Sequence, residues 1–249
     1  MWWLEVLTVA LLVGGLGTRV AHLTGPIVPK ALLEVADSSF IDLKLTELSN
    51  AGVTDVCMLV GHGAEVLQSR IGVGSGRGLS ITWLEDGPTL RGTGGATARF
   101  AEIHKEPFWL AYGDTLLDVP MSRIEQDFLD DKVLAGMTVL ENCDRWETSN
   151  VSIDGERVAV YEKDAQAGSH RFIDYGMLLF RPAAFASARS ESFDLSESLI
   201  ALTGEGQLAA YPVARRFYDV GNEEALIETI EYVEGLPSTS RENPEGSDR

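Results

Sequence analysis

Gly14-Gly15-Leu16-Gly17-Thr18-Arg19 follows a short apolar run near the N-terminus. Glycine has no Cβ and tolerates positive φ, so a turn of this kind lets backbone N–H groups come close to a phosphate. Thr18 would add a hydroxyl and Arg19 a permanent cation. The Lys-Ser/Thr ending of a P-loop is missing, and G-x-G-x-x-G read from Gly15 places Val20 where a third small residue belongs. On these residues alone the turn is either a phosphate cradle or a structural corner. Lys30 follows Pro29 in a loop rich in Gly and Pro, and a stiffened backbone helps to aim a point charge at a phosphoryl group; the alternative is an ordinary surface lysine. Asp114 ends a strand-like run, where an aspartate serves either as a metal ligand or as a helix cap. Asp219 lies between Tyr218 and Val220, a setting in which an unpaired carboxylate is costly, so a metal or cation partner is expected. Glu162 and Lys163 are adjacent charges at the end of a strand-like run, with no role fixed by their types alone.

These residues need elements to hold them. Leu7 to Val13 is a continuous apolar run ending in glycines, as a central parallel strand does. Ile41, Leu45 and Leu48 recur at helical spacing before Ala51-Gly52. Val56–Val60, Leu79–Leu84 and Phe108–Tyr112 read as further strands, with helices reaching Ile71 and spanning Gly95–Ile103. Strands alternating with helices imply a parallel sheet with helices on both faces, and ligands bind beyond the carboxyl ends of such strands. Past Asp118 the pattern changes to a helix at Met121–Leu129 and strands at Leu134–Leu140, Val158–Glu162 and Tyr175–Phe180. A last helix carries Leu226, Ile230 and Val233. The expected organisation is one domain over residues 1–235, with a first part at about 1–118, a second part at about 119–221 that adds a sheet wall over the ligand cleft, and a disordered polar tail at 236–249. Gly72, Gly74, Gly76 and Gly78 read as a flexible link.

Composition narrows the function classes. With 38 acidic and 20 basic residues in 249, the formal charge is -18, which opposes binding to nucleic acid or to anionic membranes. Apolar residues make up 45% and charged residues 23%, the mix of a globular protein with its own core. Cys57 and Cys143 form no disulfide or zinc pattern, so reduced thiols in a cytoplasmic protein are expected. The opening apolar run is too short for a membrane span and lacks the basic start of a secretory signal. His22, His62, His104 and His170 share no ligand spacing, and no catalytic role is assigned to them.

The stretch from Leu12 to Arg19, followed by Pro29-Lys30-Ala31-Leu32-Leu33, resembles the sugar-1-phosphate nucleotidyltransferases, which make NDP-sugars from a sugar 1-phosphate and an NTP. Four further motifs follow in the family's order: Arg91-Gly92-Thr93-Gly94-Gly95-Ala96, Tyr112-Gly113-Asp114, Tyr161-Glu162-Lys163 and Tyr218-Asp219-Val220-Gly221-Asn222. Val13 stands where the family usually has Ala, Arg91 where it has Leu, and Asn222 where it has Thr. The resemblance implies a Rossmann-like α/β fold with a mostly parallel central sheet and an added β-rich sugar-binding part. It implies that Leu12, Gly14, Gly15, Gly17, Thr18, Glu85, Gly92 and Thr93 bind the nucleotide and that Gly113, Asn150, Glu162, Lys163 and Gly176 bind the sugar phosphate. Asp114 and Asp219 would hold Mg²⁺, and Arg19 and Lys30 would be catalytic.

The implied reaction is in-line attack by the sugar phosphate on the α-phosphorus of the NTP, with pyrophosphate leaving. The nucleophile is mostly dianionic at neutral pH, its second pKa being about 6, so no general base is needed. Glu85 could accept hydrogen bonds from the N1–H and 2-amino edge of guanine, and the short pattern without an appended β-helix looks most like guanylyltransferases acting on manno-configured heptose or hexose 1-phosphates. The expected partners are therefore GTP and such a sugar 1-phosphate, with no nucleic acid and no membrane, and the resemblance allows a homo-oligomer. A uridylyl- or thymidylyltransferase would share the metal and phosphate residues. A catalytically silent homologue should have lost one of Arg19, Lys30, Asp114, Lys163 or Asp219, and all are present. A glycosyltransferase would carry an Asp-x-Asp triplet, which does not occur near Asp114.

Overall fold

The computed structural model describes residues 6–14, 29–61, 63–72, 78–188 and 190–236. Gly15, Gly17, Thr18, Arg19, His22, His62, Gly74, Gly76 and the tail from 237 onward lie outside the described residues. The chain divides into two compact units that interleave in sequence: 1–88 with 112–117 and 217–249, and 89–111 with 118–216.

In the first unit, β1 (Val9–Leu12), β4 (Asp55–Val60) and β5 (Ser80–Glu85) form a parallel array in the order β5-β4-β1. Register pairs Leu12 with Leu59 and Val60 with Glu85, so Glu85 lies at the same carboxyl end as Gly14. The connections are α1 (Phe40–Asn50) and α2 (Ala64–Ile71). Ser39 caps α1 by accepting the Asp42 N–H, as a serine before an apolar-periodic run is expected to do. Ahead of α1 lies a two-stranded ribbon of β2 (Glu34–Val35) and β3 (Ser38–Ser39). A second ribbon pairs β7 (Thr115–Leu116) with β13 (Tyr218–Asp219), and α6 (Glu223–Gly235) follows it.

The second unit contains β6 (Phe108–Tyr112), which runs out of it into the first, together with β8 (Ala135–Glu141), β9 (Val151–Asp154), β10 (Arg157–Tyr161), β11 (Phe172–Phe180) and β12 (Leu208–Val213). Its order is β6-β11-β8-β12-β10-β9; β8 and β12 are parallel and the other pairs antiparallel. The parallel sheet expected from sequence is thus carried by the first unit, and the β-rich part by the second. Helices α3 (Gly92–Ile103), α4 (Met121–Asp130) and α5 (Leu195–Gly204) complete the unit. Its core includes Trp109, Phe108, Phe128, Tyr175 and Phe180, all fully buried. β11 slips register against β8 between Asp174 and Leu178, and Gly176 takes φ +90° there. Bulges of this kind bend a strand and re-aim its side chains. Among the described residues, no helix is long and apolar enough to cross a membrane.

Candidate functional site

Lys30 and Asp114 meet in the first unit, with Nζ 2.8 Å from Oδ2. Lys30 opens a 3-10 turn directly after Pro29, and Asp114 follows β6. Asp114 Oδ1 accepts the Thr115 hydroxyl at 3.3 Å, and the Asp114 carbonyl accepts the Val220 N–H at 3.3 Å. Asp114 therefore caps no helix. Asp219 lies opposite Thr115 on the facing strand, next to the residue that hydrogen-bonds Asp114. Its Oδ1 accepts the Gly221 N–H at 2.6 Å, and its carbonyl accepts the Thr229 hydroxyl at 2.7 Å.

One apolar cluster anchors all three. Leu33, Leu116 and Val220, which closely follow Lys30, Asp114 and Asp219, are buried together with Val35, Phe40, Leu43 and Val233. Each charge thus projects from a backbone whose neighbours are fixed by packing. Gly113 closes the corner: its N–H donates to the Leu12 carbonyl at 2.9 Å, and a Cβ there would lie 2.3 Å from Val13 Cγ1. Only glycine lets the Asp114 corner approach the end of β1 this closely. The Leu12 carbonyl is accordingly occupied by a structural bond.

Two carboxylates, Asp219 on β13 and Asp114 in the turn just before the facing β7, the latter partly exposed and paired with a lysine, are hard oxygen donors of the kind Mg²⁺ takes alongside substrate phosphates and water. No group of three or more His, Cys, Asp or Glu placed to hold a metal occurs among the described residues. Glu85 accepts a hydrogen bond from Gln68 Nε2 at 3.0 Å on the exposed end of β5.

Of the expected sugar-phosphate residues, Asn150, Glu162, Lys163 and Gly176 lie in the second unit and Gly113 in the first. Asn150, just before β9, donates its N–H to Phe172, accepts from the Glu162 N–H at 3.0 Å and, through Oδ1, from the Asp174 N–H at 2.9 Å. Gly176 donates its N–H to Asp174 Oδ1 at 3.0 Å. Burial lifts the Asp174 carboxyl to about 6 against the lowering effect of that bond. Glu162 contacts His170 Nε2 at 3.2 Å, and the other ring nitrogen lies 2.9 Å from Ser152 Oγ. His170 thus has a definite place beside Glu162, although its spacing in sequence gave no signal.

Lys163 pairs with Asp194 at 2.5 Å, a residue that sequence reasoning passed over. Asp194 caps α5 with a complete capping box through Glu197. The pattern Asp194-x-x-Glu197 before an apolar run was the available signal for both the helix and the aspartate. Gly92 and Thr93, expected at the nucleotide, open α3, and Thr93 is engaged by the start of α5: its Oγ1 accepts the Leu195 N–H at 2.9 Å.

The nucleotidyl transferase family model matches residues 8–235. Among curated relatives, a low-salt glycan biosynthesis nucleotidyltransferase of Haloferax volcanii is 26% identical, over 90% of this chain and 65% of its own length. A D-glycero-alpha-D-manno-heptose 1-phosphate guanylyltransferase of Campylobacter jejuni is 25% identical, over 76% of this chain and 83% of its own. Thymidylyl- and uridylyltransferases also match. The solved structure of HddC from Yersinia pseudotuberculosis, complexed with GMP-PN, superposes with a TM-score of 0.76 at 18% identity, over 91% of this chain and 99% of that one. At that identity the likeness is one of fold.

Proposed function

The chain belongs to the nucleotidyl transferase family of sugar-1-phosphate nucleotidyltransferases, and from that premise we propose that it transfers a nucleotidyl group from an NTP, GTP by preference, to a manno-type heptose or hexose 1-phosphate with release of pyrophosphate. The observation that carries the reading is the Lys30–Asp114 pair, with Asp219 on the adjoining strand and all three anchored by one apolar cluster. The chemical difficulty of the reaction is electrostatic, because a phosphate dianion must approach a polyanionic nucleotide. A protein of charge -18 meets that difficulty with local cations rather than with its overall field.

Lys30 neutralises the α-phosphate, and Arg19, outside the described residues, takes the departing β- and γ-phosphates. Asp114 and Asp219 hold Mg²⁺, which when bound supplies charge neutralisation to the nucleotide and sugar phosphates. Lys163 positions the attacking phosphate, while Asn150, Glu162 and Gly176 bind the sugar. Glu85 reads the base. The guanylyl preference is supported by the Campylobacter relative.

The test is a screen of GTP, ATP, UTP and dTTP against a panel of sugar 1-phosphates, scored by pyrophosphate release with Mg²⁺. Release with GTP and a manno-configured sugar is expected. Preference for UTP or dTTP with glucose 1-phosphate would move the assignment to the uridylyl- or thymidylyltransferases. Nucleotide binding with no release from any pair would overturn the enzymatic reading.

A further inference from the structure

The segment 191–195 is bonded along its length to the start of α3. The Ser192 hydroxyl donates to the Leu90 carbonyl at 3.0 Å, and the Phe193 N–H donates to the Arg91 carbonyl at 3.0 Å. The Phe193 carbonyl accepts from Gly94 and Gly95 at 3.0 and 3.3 Å, and the Leu195 N–H donates to Thr93 Oγ1 at 2.9 Å. The glycines of the Gly-Thr-Gly-Gly segment are glycines because of this strap. A Cβ on Gly92 would lie 2.6 Å from the Phe193 carbonyl oxygen, one on Gly94 2.3 Å from the Phe193 ring, and one on Gly95 2.3 Å from the Glu191 carbonyl oxygen. The N–H groups of Gly94 and Gly95 are spent on the protein itself.

Asp194 lies in the middle of the strap, and its two carboxylate oxygens have separate duties. Oδ1 accepts the Ser196 N–H at 2.9 Å and the Ser196 hydroxyl at 2.6 Å, while Oδ2 takes Lys163 Nζ at 2.5 Å. An exposed ion pair ordinarily contributes little, because two long side chains must be immobilised to form it. Here the aspartate is already fixed by the capping box, so only the lysine has to be ordered.

We propose that Asp194 is a positioning residue that aims Lys163, and that the 191–195 strap couples Lys163 to the Gly92–Gly95 segment, so that occupancy at one end is felt at the other. This rests on the roles given above to Lys163 and to Gly92 and Thr93. Coupling of this sort is reciprocal: if bound nucleotide tightens the hold on the sugar phosphate, the sugar phosphate must tighten the hold on the nucleotide by the same factor.

Asp194→Ser separates capping from pairing, since serine caps a helix about as well as aspartate but offers Lys163 no charge. Asp194→Asn serves as a second variant that keeps the cap. The assays use GTP with mannose 1-phosphate, or the best pair from the substrate screen, and calorimetry uses the non-hydrolysable α,β-methylene analogue of that nucleotide. Both variants are expected to melt within a few degrees of the parent. The KM for the sugar 1-phosphate should rise about tenfold and the KM for the nucleotide less than about twofold. The parent should bind the analogue about fivefold or more tightly when the sugar 1-phosphate is present, and the variants should lose that ratio.

An unchanged or lowered sugar KM in both variants, or a parent without coupling, overturns the inference. Lys163→Met distinguishes the two failures. If it leaves the sugar KM unchanged, the role given to Lys163 is wrong; if it raises that KM while Asp194→Ser does not, only the positioning by Asp194 is wrong.

Discussion

Lys30 and Asp114 form an ion pair 2.8 Å long in which the lysine side chain is only 17% exposed and the aspartate 42%. Such an arrangement keeps a cation and an anion aimed and partly desolvated before any substrate arrives, which is where electrostatic stabilisation is worth most. Lys30→Ala and Asp114→Asn are each expected to lower turnover by about 100-fold or more, the usual cost of removing one charge-stabilising group. Pyrophosphate release measures the loss, and a circular dichroism spectrum matching the parent's shows that the fold is kept; turnover within a few-fold of the parent in both variants would refute their assignment. These two residues were legible in the sequence because each sits at a punctuation mark, a Pro-Lys step and a strand-ending Gly-Asp. The place of His170 and the pairing of Asp194 with Lys163 were not, because the partners Ser152, Glu162 and Lys163 are 18, 8 and 31 residues away. Pairings at such distances leave no spacing to read.

At the scale of elements, α1 supports the Asp114 segment through a buried charge. Lys44 is fully buried and donates to Glu47 Oε1 at 2.7 Å, while Glu47 Oε2 accepts the Leu117 N–H at 2.7 Å. Glu47→Ala leaves a buried ammonium without that partner, so a loss of about 3–5 kcal/mol is expected, seen as a melting temperature lower by about 10 °C. Lys44→Met removes the charge with its need for a partner and should cost far less. Equal losses from the two would contradict this account. Asn222 offers a milder case: its side chain accepts the Ala225 N–H at 3.0 Å and caps α6. Asn222→Ala should cost about 1 kcal/mol and Asn222→Thr a fraction of that, measured by urea unfolding, since both Asn and Thr are good caps. Where the resemblance gives threonine, this chain thus has asparagine, and both are good capping residues. The strands and helices with clear apolar periodicity were readable, within a residue or two at most ends. Besides the two-residue strands β2, β3, β7 and β13, too short to show a pattern, three elements were missed for physical reasons: β9 is four residues long, β12 contains Pro212, which argues against a strand, and the apolar run of α5 is short.

For the whole molecule, charge and pH decide the balance. Hydrogen bonds from the Ser149 and Gly168 N–H groups hold the Asp144 carboxyl below its ordinary value. Partial burial works against ionisation of Asp194, but bonds from Lys163 and Ser196 outweigh it and also hold that carboxyl low. The stabilisation from these two is present above the unfolded carboxylate pKa of about 4 and is lost as pH falls through their lower folded values. Asp174 runs the other way, its folded pKa being raised to about 6 by burial. Its contribution is complete below about pH 4 and is lost as pH rises through about 6. Self-repulsion adds to that decline, since the formal charge reaches -18 at pH 7. Stability at low salt is therefore expected to peak between about pH 4 and 6 and to fall toward neutrality. Salt should recover the part of the decline due to repulsion, because it screens exposed charges, but should leave most of the Asp174 part. Asp174→Asn isolates that part: its amide oxygen still accepts the Gly176 N–H, but the side chain cannot ionise. Melting temperature followed from pH 4 to 8 should fall less steeply in this variant than in the parent. Superimposable slopes for the two proteins would show that Asp174 titrates near its ordinary value and that the decline belongs to the molecule's net charge.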